Sequence, residues 1–202
     1  MIVCVFDANV PWDLYKLDKL DQIMKLFSSA NLSIHMSNDN FLEMPRTIGN
    51  MFKTYQNVEI DESDDNGLNT FKKQIRDEGI ILDKKDSAVL YSCDKIDADF
   101  VVSSDTNVIL STNKYANTYS KKVKGFHILD IITYLKNENF LDKNECMRIF
   151  LALYSKKEIP YLVETHGNEL IRDVSTRSIW IAGNTKSCIA KFNTYSKHIS
   201  NV

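Results

Sequence analysis

The chain has 202 residues, 44% of them hydrophobic and 26% charged, with a formal net charge of −2. That length and apolar content exclude a disordered chain and fit one packed domain with a small appendage, while the charge balance neither marks nor excludes a nucleic-acid binder. No apolar run reaches the ~20 residues of a membrane helix, so no membrane partner is expected. Cys4, Cys93, Cys146 and Cys188 lie far apart without zinc-type spacing, and read as reduced thiols of a cytoplasmic protein. Asp7 interrupts any signal-peptide pattern.

Residues 2–6 form a short apolar run typical of a buried strand. From Pro11 to Ala30 the apolar positions Leu14, Leu17, Leu20, Ile23, Met24 and Phe27 recur at helical spacing. Leu32 to Met36 reads as a second strand. Ser37 then offers an N-cap for a helix carrying Phe41, Leu42 and Glu43. Pro45 cannot continue that helix undisturbed, so a kink or a new helix start is expected there. Val58 to Ile60 reads as a third strand. Glu59, Asp61, Glu62, Asp64 and Asp65 crowd the same stretch. A metal site or a protein-binding tail would use such acids. No strand end or helix face fixes their spacing, so we read them as a solvated loop.

Residues 67–78 look helical, with Gly79 as C-cap. Asp86 opens a helix with Ala88, Val89, Leu90, Tyr91 and Cys93. Phe100 to Ser103 is a fourth strand. A polar loop from Thr112 to Lys124 leads to a fifth at Gly125 to Leu129. Asp130 caps a helix through Leu135. Residues 142–145 resemble a capping box for a helix to about Tyr154. Beyond Pro160, either further helices or a hairpin at Gly183-Asn184 fits the pattern. Alternating strands and helices imply an α/β fold with parallel pairing. The expected architecture is three-layered, with a mainly parallel sheet of four or five strands. The expected division is a domain of residues 1–139 and a helical extension of residues 140–202, packed on the core and supplying no ligands.

Asp7 and Asp105 each follow a predicted buried strand, where open α/β sheets bind ligands. Glu43 and Asp86 lie in helices between those strands. Four carboxylates in one crevice would suit hard divalent cations, Mg²⁺ or Mn²⁺. Bound cations reverse the repulsion such acids would exert on a phosphodiester. They also activate water and stabilise the leaving oxygen. Asp7, Asp86 and Asp105 are read as ligands, and Glu43 as a fourth ligand or as the group that positions the attacking water.

The segments Val5-Phe6-Asp7-Ala8-Asn9-Val10, Phe41-Leu42-Glu43, Asp86-Ser87-Ala88-Val89-Leu90 and Ala98 to Asp105 resemble the PIN-domain family of metal-dependent nucleases. The resemblance spans about residues 1–130. It implies a parallel sheet flanked by helices, an acidic pocket for one or two divalent ions, and endonuclease activity, usually on RNA. On that reading Asp7, Glu43, Asp86 and Asp105 are the catalytic and metal-binding residues. Asn107 is the nearest candidate for a further ligand, and Ser103 holds the place of a hydroxyl before the last Asp. Asn9 is a third supporting residue. Pro45 and the long tail depart from the pattern, and the tail argues against a minimal VapC-type toxin.

A haloacid-dehalogenase-like phosphatase also begins with an Asp after its first strand. It wants a second acid two residues on, where this chain has Asn9. A receiver-type domain would need paired acids that are not seen. The reading from another class is a non-catalytic PIN-like module that binds RNA or protein. Besides an RNA substrate, a protein partner or antitoxin and a homodimer remain open. Lys121, Lys122 and Lys124, Lys156 and Lys157, and Lys186, Lys191 and Lys197 offer phosphate contacts or solvated faces. Tyr115, Tyr119, Trp180 and Tyr195 offer base stacking or core packing. His35, His127, His166 and His198 are scattered, as structural or solvated histidines are.

Overall fold

The computed structural model describes residues 1–142 apart from Leu17 and Glu138. The expected capping box and helix after Asp142, the alternatives around Gly183, and the lysines from Lys156 onward lie outside the described residues. So do Trp180, Tyr195, His166 and His198. Met1–Phe126 is one compact unit, and a second begins at His127.

Five strands build the first unit: β1 (Ile2–Phe6), β2 (Leu32–Ser37), β3 (Val58–Asp61), β4 (Phe100–Val102) and β5 (Lys124–Phe126). All pairings are parallel, in the order β3-β2-β1-β4-β5. The fold is thus α/β with a five-stranded parallel sheet and helices on its two faces, as the alternating pattern implies. Side chains alternate between faces along each strand. Val5 packs with Phe71, Val89, Val101, Val108 and Tyr115 on one face. Phe6 meets Phe27 edge-on and stacks near Phe52 on the other. Strand order runs outward from β1 in both directions, so it reverses between β1 and β4. That is the switch point where the crevice of a doubly wound sheet opens.

The helices of this unit are α1 (Asn9–Lys16), α2 (Leu20–Ser29), α3 (Asn38–Phe41), α4 (Arg46–Phe52), α5 (Asp65–Asp77), α6 (Lys84–Ile96) and α7 (Thr106–Tyr119). Where sequence periodicity predicts one helix from 11 to 30, the chain breaks it. Asp18 adopts a left-handed φ of 56° between α1 and α2, ending the first helix as an αL residue does. Pro45 takes φ −50° and ψ 135° ahead of α4, so it starts a fresh helix. Gly79, at φ 73°, stands just past α5 as expected.

The expected polar loop at 112–124 is mostly helix. α7 runs to Tyr119 because Val108, Ile109, Thr112, Tyr115 and Ala116 form its buried face. Thr112 hides its hydroxyl by donating to the Val108 carbonyl oxygen at 2.8 Å. The fifth strand is correspondingly earlier and shorter than Gly125 to Leu129. A Cβ on Gly125 would lie 2.5 Å from the Ile109 carbonyl oxygen, so only glycine lets α7 lie this close to β5. In the second unit, α8 (Ile128–Asn137) begins before Asp130. Asp130 does not precede the helix as a cap; its Oδ2 reaches back to accept from the His127 N–H at 2.7 Å.

Candidate active site

Asp7 is the first residue past β1, and its backbone N–H still donates to the Val102 carbonyl oxygen of β4 at 3.0 Å. The pairing therefore carries the carboxylate to the switch point, where it is only 5% exposed. Its Oδ2 accepts from Ser103 Oγ at 2.6 Å and from Asn9 Nδ2 at 2.7 Å. Its Oδ1 accepts a longer bond from Asn40 Nδ2, 3.4 Å. Ser103 Oγ also accepts the Asp105 N–H at 2.8 Å. Asn9 Oδ1 accepts the Ser104 N–H at 2.8 Å. Asn9 and Ser103 thus stitch the loop after β1 to the loop after β4. A residue that holds Asp7 by its amide is not the general acid a haloacid-dehalogenase reading requires at position 9.

Asp105 caps α7, its Oδ1 accepting the Asn107 N–H at 2.7 Å. Asn107 enters the site through that backbone group, and its side chain is exposed. Asp86 does not open its helix. Asp83 is the N-cap of α6, accepting the Asp86 N–H at 2.8 Å. Asp86 therefore sits in the first turn, half-buried. The amino ends of α6 and α7, the positive ends of their dipoles, lie beside Asp86 and Asp105. Glu43 lies in a turn one residue beyond Leu42, the C-cap of α3, because Pro45 forces a new helix. Its carboxylate pairs with Lys85 Nζ of α6.

Two of the four acids, Asp86 and Asp7, are shifted partly by the charges of the others. Burial pushes the Asp86 carboxyl up to about 7, helped by Asp83 and then by Asp7, Asp105 and Glu43. Burial also raises Asp7 above the usual carboxylate range. The Ser103 hydroxyl and Ala8 N–H oppose that rise, and the charges of Asp105 and Glu43 add to it. A crowded set of carboxylates of this kind gains from a cation. Even so, the described His, Cys, Asp and Glu residues that bring three donor atoms within 4.8 Å of one another are His35, Glu59 and Asp61, not these four. Glu43 is held by Lys85, and one oxygen of Asp105 by its own helix.

Sequence reasoning missed Asn40, Asp83 and Lys85. The signal for Asn40 was Ser37 three residues earlier: Ser37 Oγ accepts the Asn40 N–H at 3.2 Å and donates to Asn40 Oδ1. The basic group at Lys121 and Lys122 is placed away from the crevice. It precedes β5, at the amino ends of the strands, and pairs with Asp94, Asp97 and Asp99. Tyr115 is 2% exposed and donates to Asp94, so it is a core residue. Tyr119 packs on it, with ring centroids 4.9 Å apart.

No protein-family model matches the chain, nor does any curated protein or solved structure. Among the described residues, no helix is long and apolar enough to cross a membrane.

Proposed function

We propose that the protein is a divalent-metal-dependent endoribonuclease acting on single-stranded RNA from the crevice between β1 and β4. The observation that carries this reading is convergence of charge at a switch point. Burial raises the Asp86 carboxyl to about 7, with the charges of Asp83, Asp7, Asp105 and Glu43 adding to it, and Asp7 feels the charges of Asp105 and Glu43. The resemblance of these same segments to PIN-domain nucleases supplies the reaction class, and the five-stranded parallel sheet agrees with it. Asp7, Asp86, Asp105 and Glu43 would hold Mg²⁺ or Mn²⁺, since an all-oxygen donor set suits hard cations. When bound, such ions activate water and stabilise charge on the leaving oxygen.

The chain's own groups do the rest. Ser103 and Asn9 fix Asp7, and Ser103 also fixes the backbone of Asp105. Lys85, about half exposed and paired with Glu43, would meet a phosphate oxygen entering the crevice. Trp12 on α1 is 38% exposed, with Lys16 Nζ 4.8 Å from its ring centroid. Such a pair suits an unpaired base and its phosphate. The buried free thiols Cys4 and Cys93 accord with a cytoplasmic location, which is part of this reading.

The test is incubation of structured and unstructured RNA with the protein in Mn²⁺, Mg²⁺ or EDTA. Cleavage confined to unpaired RNA, dependent on metal and lost in Asp105→Asn, is expected. Cleavage that persists in EDTA, or an unchanged Asp105→Asn variant, overturns the reading.

A further inference from the structure

One face of the sheet changes character at β2. On β1, Val3 and Val5 belong to the apolar core beneath α5, α6 and α7. The register pairs Val3 with Ser33 and Val5 with His35. It then pairs His35 with Glu59 and Ser37 with Asp61. Paired residues of neighbouring strands share a face, so Ser33, His35, Ser37, Glu59 and Asp61 continue the face that Val3 and Val5 begin. The opposite face of β2, Leu32, Ile34 and Met36, is buried and apolar. A parallel sheet covered by helices is normally apolar on both faces. Here five polar side chains occupy half of one.

A cavity of about 410 Å³ opens over this polar floor, with Ser37, Glu59 and Asp61 on its wall and Leu68, Ala88, Tyr91 and Ser92 of α5 and α6 around it. Ala88 and Ser92 are small, so α6 leaves the space unfilled. His35 Nδ1 lies 3.0 Å from Asp61 Oδ1, and Ser33 Oγ lies 3.3 Å from His35 Nε2. The side chains of His35 and Asp61 are only 13% and 17% exposed. Asp61 Oδ2 is closed off from solvent and has no hydrogen-bond partner. A carboxylate oxygen in that condition is costly and calls for a water or an ion. One donor atom from each of His35, Glu59 and Asp61 lies within 4.8 Å of the others. Tetrahedral ligands at ~2.1 Å from zinc stand about 3.4 Å apart, so modest side-chain rotation closes the set.

We propose that His35, Glu59 and Asp61 form a second cation site, for a divalent transition ion of the zinc type, at the edge of the cavity that Glu59 and Asp61 line between β2–β3 and α5–α6. One imidazole with two carboxylates selects such an ion over Mg²⁺ or Ca²⁺, which take oxygen donors. Three protein ligands leave a fourth coordination position, and two of them, Glu59 and Asp61, line the cavity. The ion would also tie the edge strand β3 to β2. This site shares no ligand with the β1–β4 crevice and stands whether or not the chain cleaves RNA.

The experiment is calorimetric titration of Zn²⁺ into the full-length, EDTA-stripped protein and into an Asp7→Asn/Asp105→Asn variant that removes crevice ligands. Both are expected to bind one zinc equivalent at this site. His35→Gln and Glu59→Gln, each placed in the double-variant background, should weaken it by about 100-fold. Glu59 is exposed, so its amide variant keeps the fold if His35→Gln does not; circular dichroism checks both. Zinc should also shift the imidazole signals of one histidine in the nitrogen correlation spectrum, and that shift should vanish in Glu59→Gln. Absence of zinc binding in the folded double variant, or binding undiminished in Glu59→Gln, overturns the proposal. Loss of RNA cleavage with zinc binding retained affects only the nuclease reading.

Discussion

The crevice and the floor of the β2–β3 cavity gather the same kind of side chain in opposite electrical settings. In the crevice, Asp7, Asp86 and Asp105 come from three elements and meet as like charges, which add to burial and to Asp83 in raising the Asp86 carboxyl to about 7. On the floor, strand register makes His35 and Asp61 near neighbours, and Asp61 raises the His35 imidazole above its usual range. The first arrangement stores repulsion that a cation relieves. The second offsets its carboxylates with an imidazole whose protonated form Asp61 favours, and a cation bound there would compete with that proton. Only the crevice lies at a switch point of the sheet, so the two regions should separate cleanly under mutation.

The largest separation is expected from Asp7→Asn. It should lower metal-dependent RNA cleavage by more than about 100-fold, because the side chain is central to the crevice and its loss exceeds that of a supporting group. A comparable rate in single-turnover cleavage assays would remove Asp7 from the chemistry. Ser103→Ala should cost about 10–100-fold, since its hydroxyl holds both Asp7 and the Asp105 backbone. Its circular dichroism should stay native. A loss under twofold would mean that Asn9 alone positions Asp7.

The contrast also explains what the sequence makes legible. Asp7 and Asp105 stand out because each ends a run of buried apolar residues, and β1 and β4 form where those runs predict. Glu43 and Asp86 are placed near the crevice by chain order, but their local settings were not readable. Pro45 moves Glu43 out of its helix, and Asp83 takes the cap assigned to Asp86. The floor was hidden for a different reason. Glu59 and Asp61 sit in an acid-rich run, so their two-residue strand spacing passes for loop composition. His35 gains meaning only from the β2–β3 register, which no local pattern states. α7 was masked by Ser111 and Thr112, polar residues on its buried face. The break between α1 and α2 rests on Asp18 in a left-handed conformation that sequence favours in glycine.

A smaller effect distinguishes repulsion from simple structure in the crevice. In EDTA, Asp7→Asn should melt above the wild type by about 2–4 °C, the shift that ~1 kcal/mol gives a chain of this size. The amide relieves the burial of a charge. It can present its oxygen to Ser103 and Asn9, leaving its nitrogen towards the long Asn40 contact. Excess Mn²⁺ should raise the wild type and move the variant much less. A variant that melts lower in EDTA and responds equally to Mn²⁺ would make Asp7 an ordinary turn residue.

The smallest expected effect lies in the pH dependence of stability without metal, and it reads both regions in one experiment. Asp86 has a folded pKa of about 7 against an ordinary value of 3.8. Between those values the folded state holds a proton that the unfolded chain has released. Stability therefore falls as pH rises from about 4 towards 7. Asp7 is shifted in the same direction and adds to that slope. His35 is raised above its ordinary 6.5, chiefly by its hydrogen bond to Asp61. Its contribution is fully present below 6.5 and disappears as pH climbs through the folded value. Both regions thus weaken the metal-free protein with rising pH, the crevice in the acidic window and the floor above it. Denaturant titrations in EDTA from pH 4 to pH 9 should show Asp86→Asn flattening the lower part of the profile and His35→Gln the upper part. If Asp86→Asn left the lower slope intact, the crowding assigned to the crevice would be wrong. If His35→Gln left the upper slope intact, the His35–Asp61 pair would carry no charge, and the floor would differ from the crevice in geometry alone.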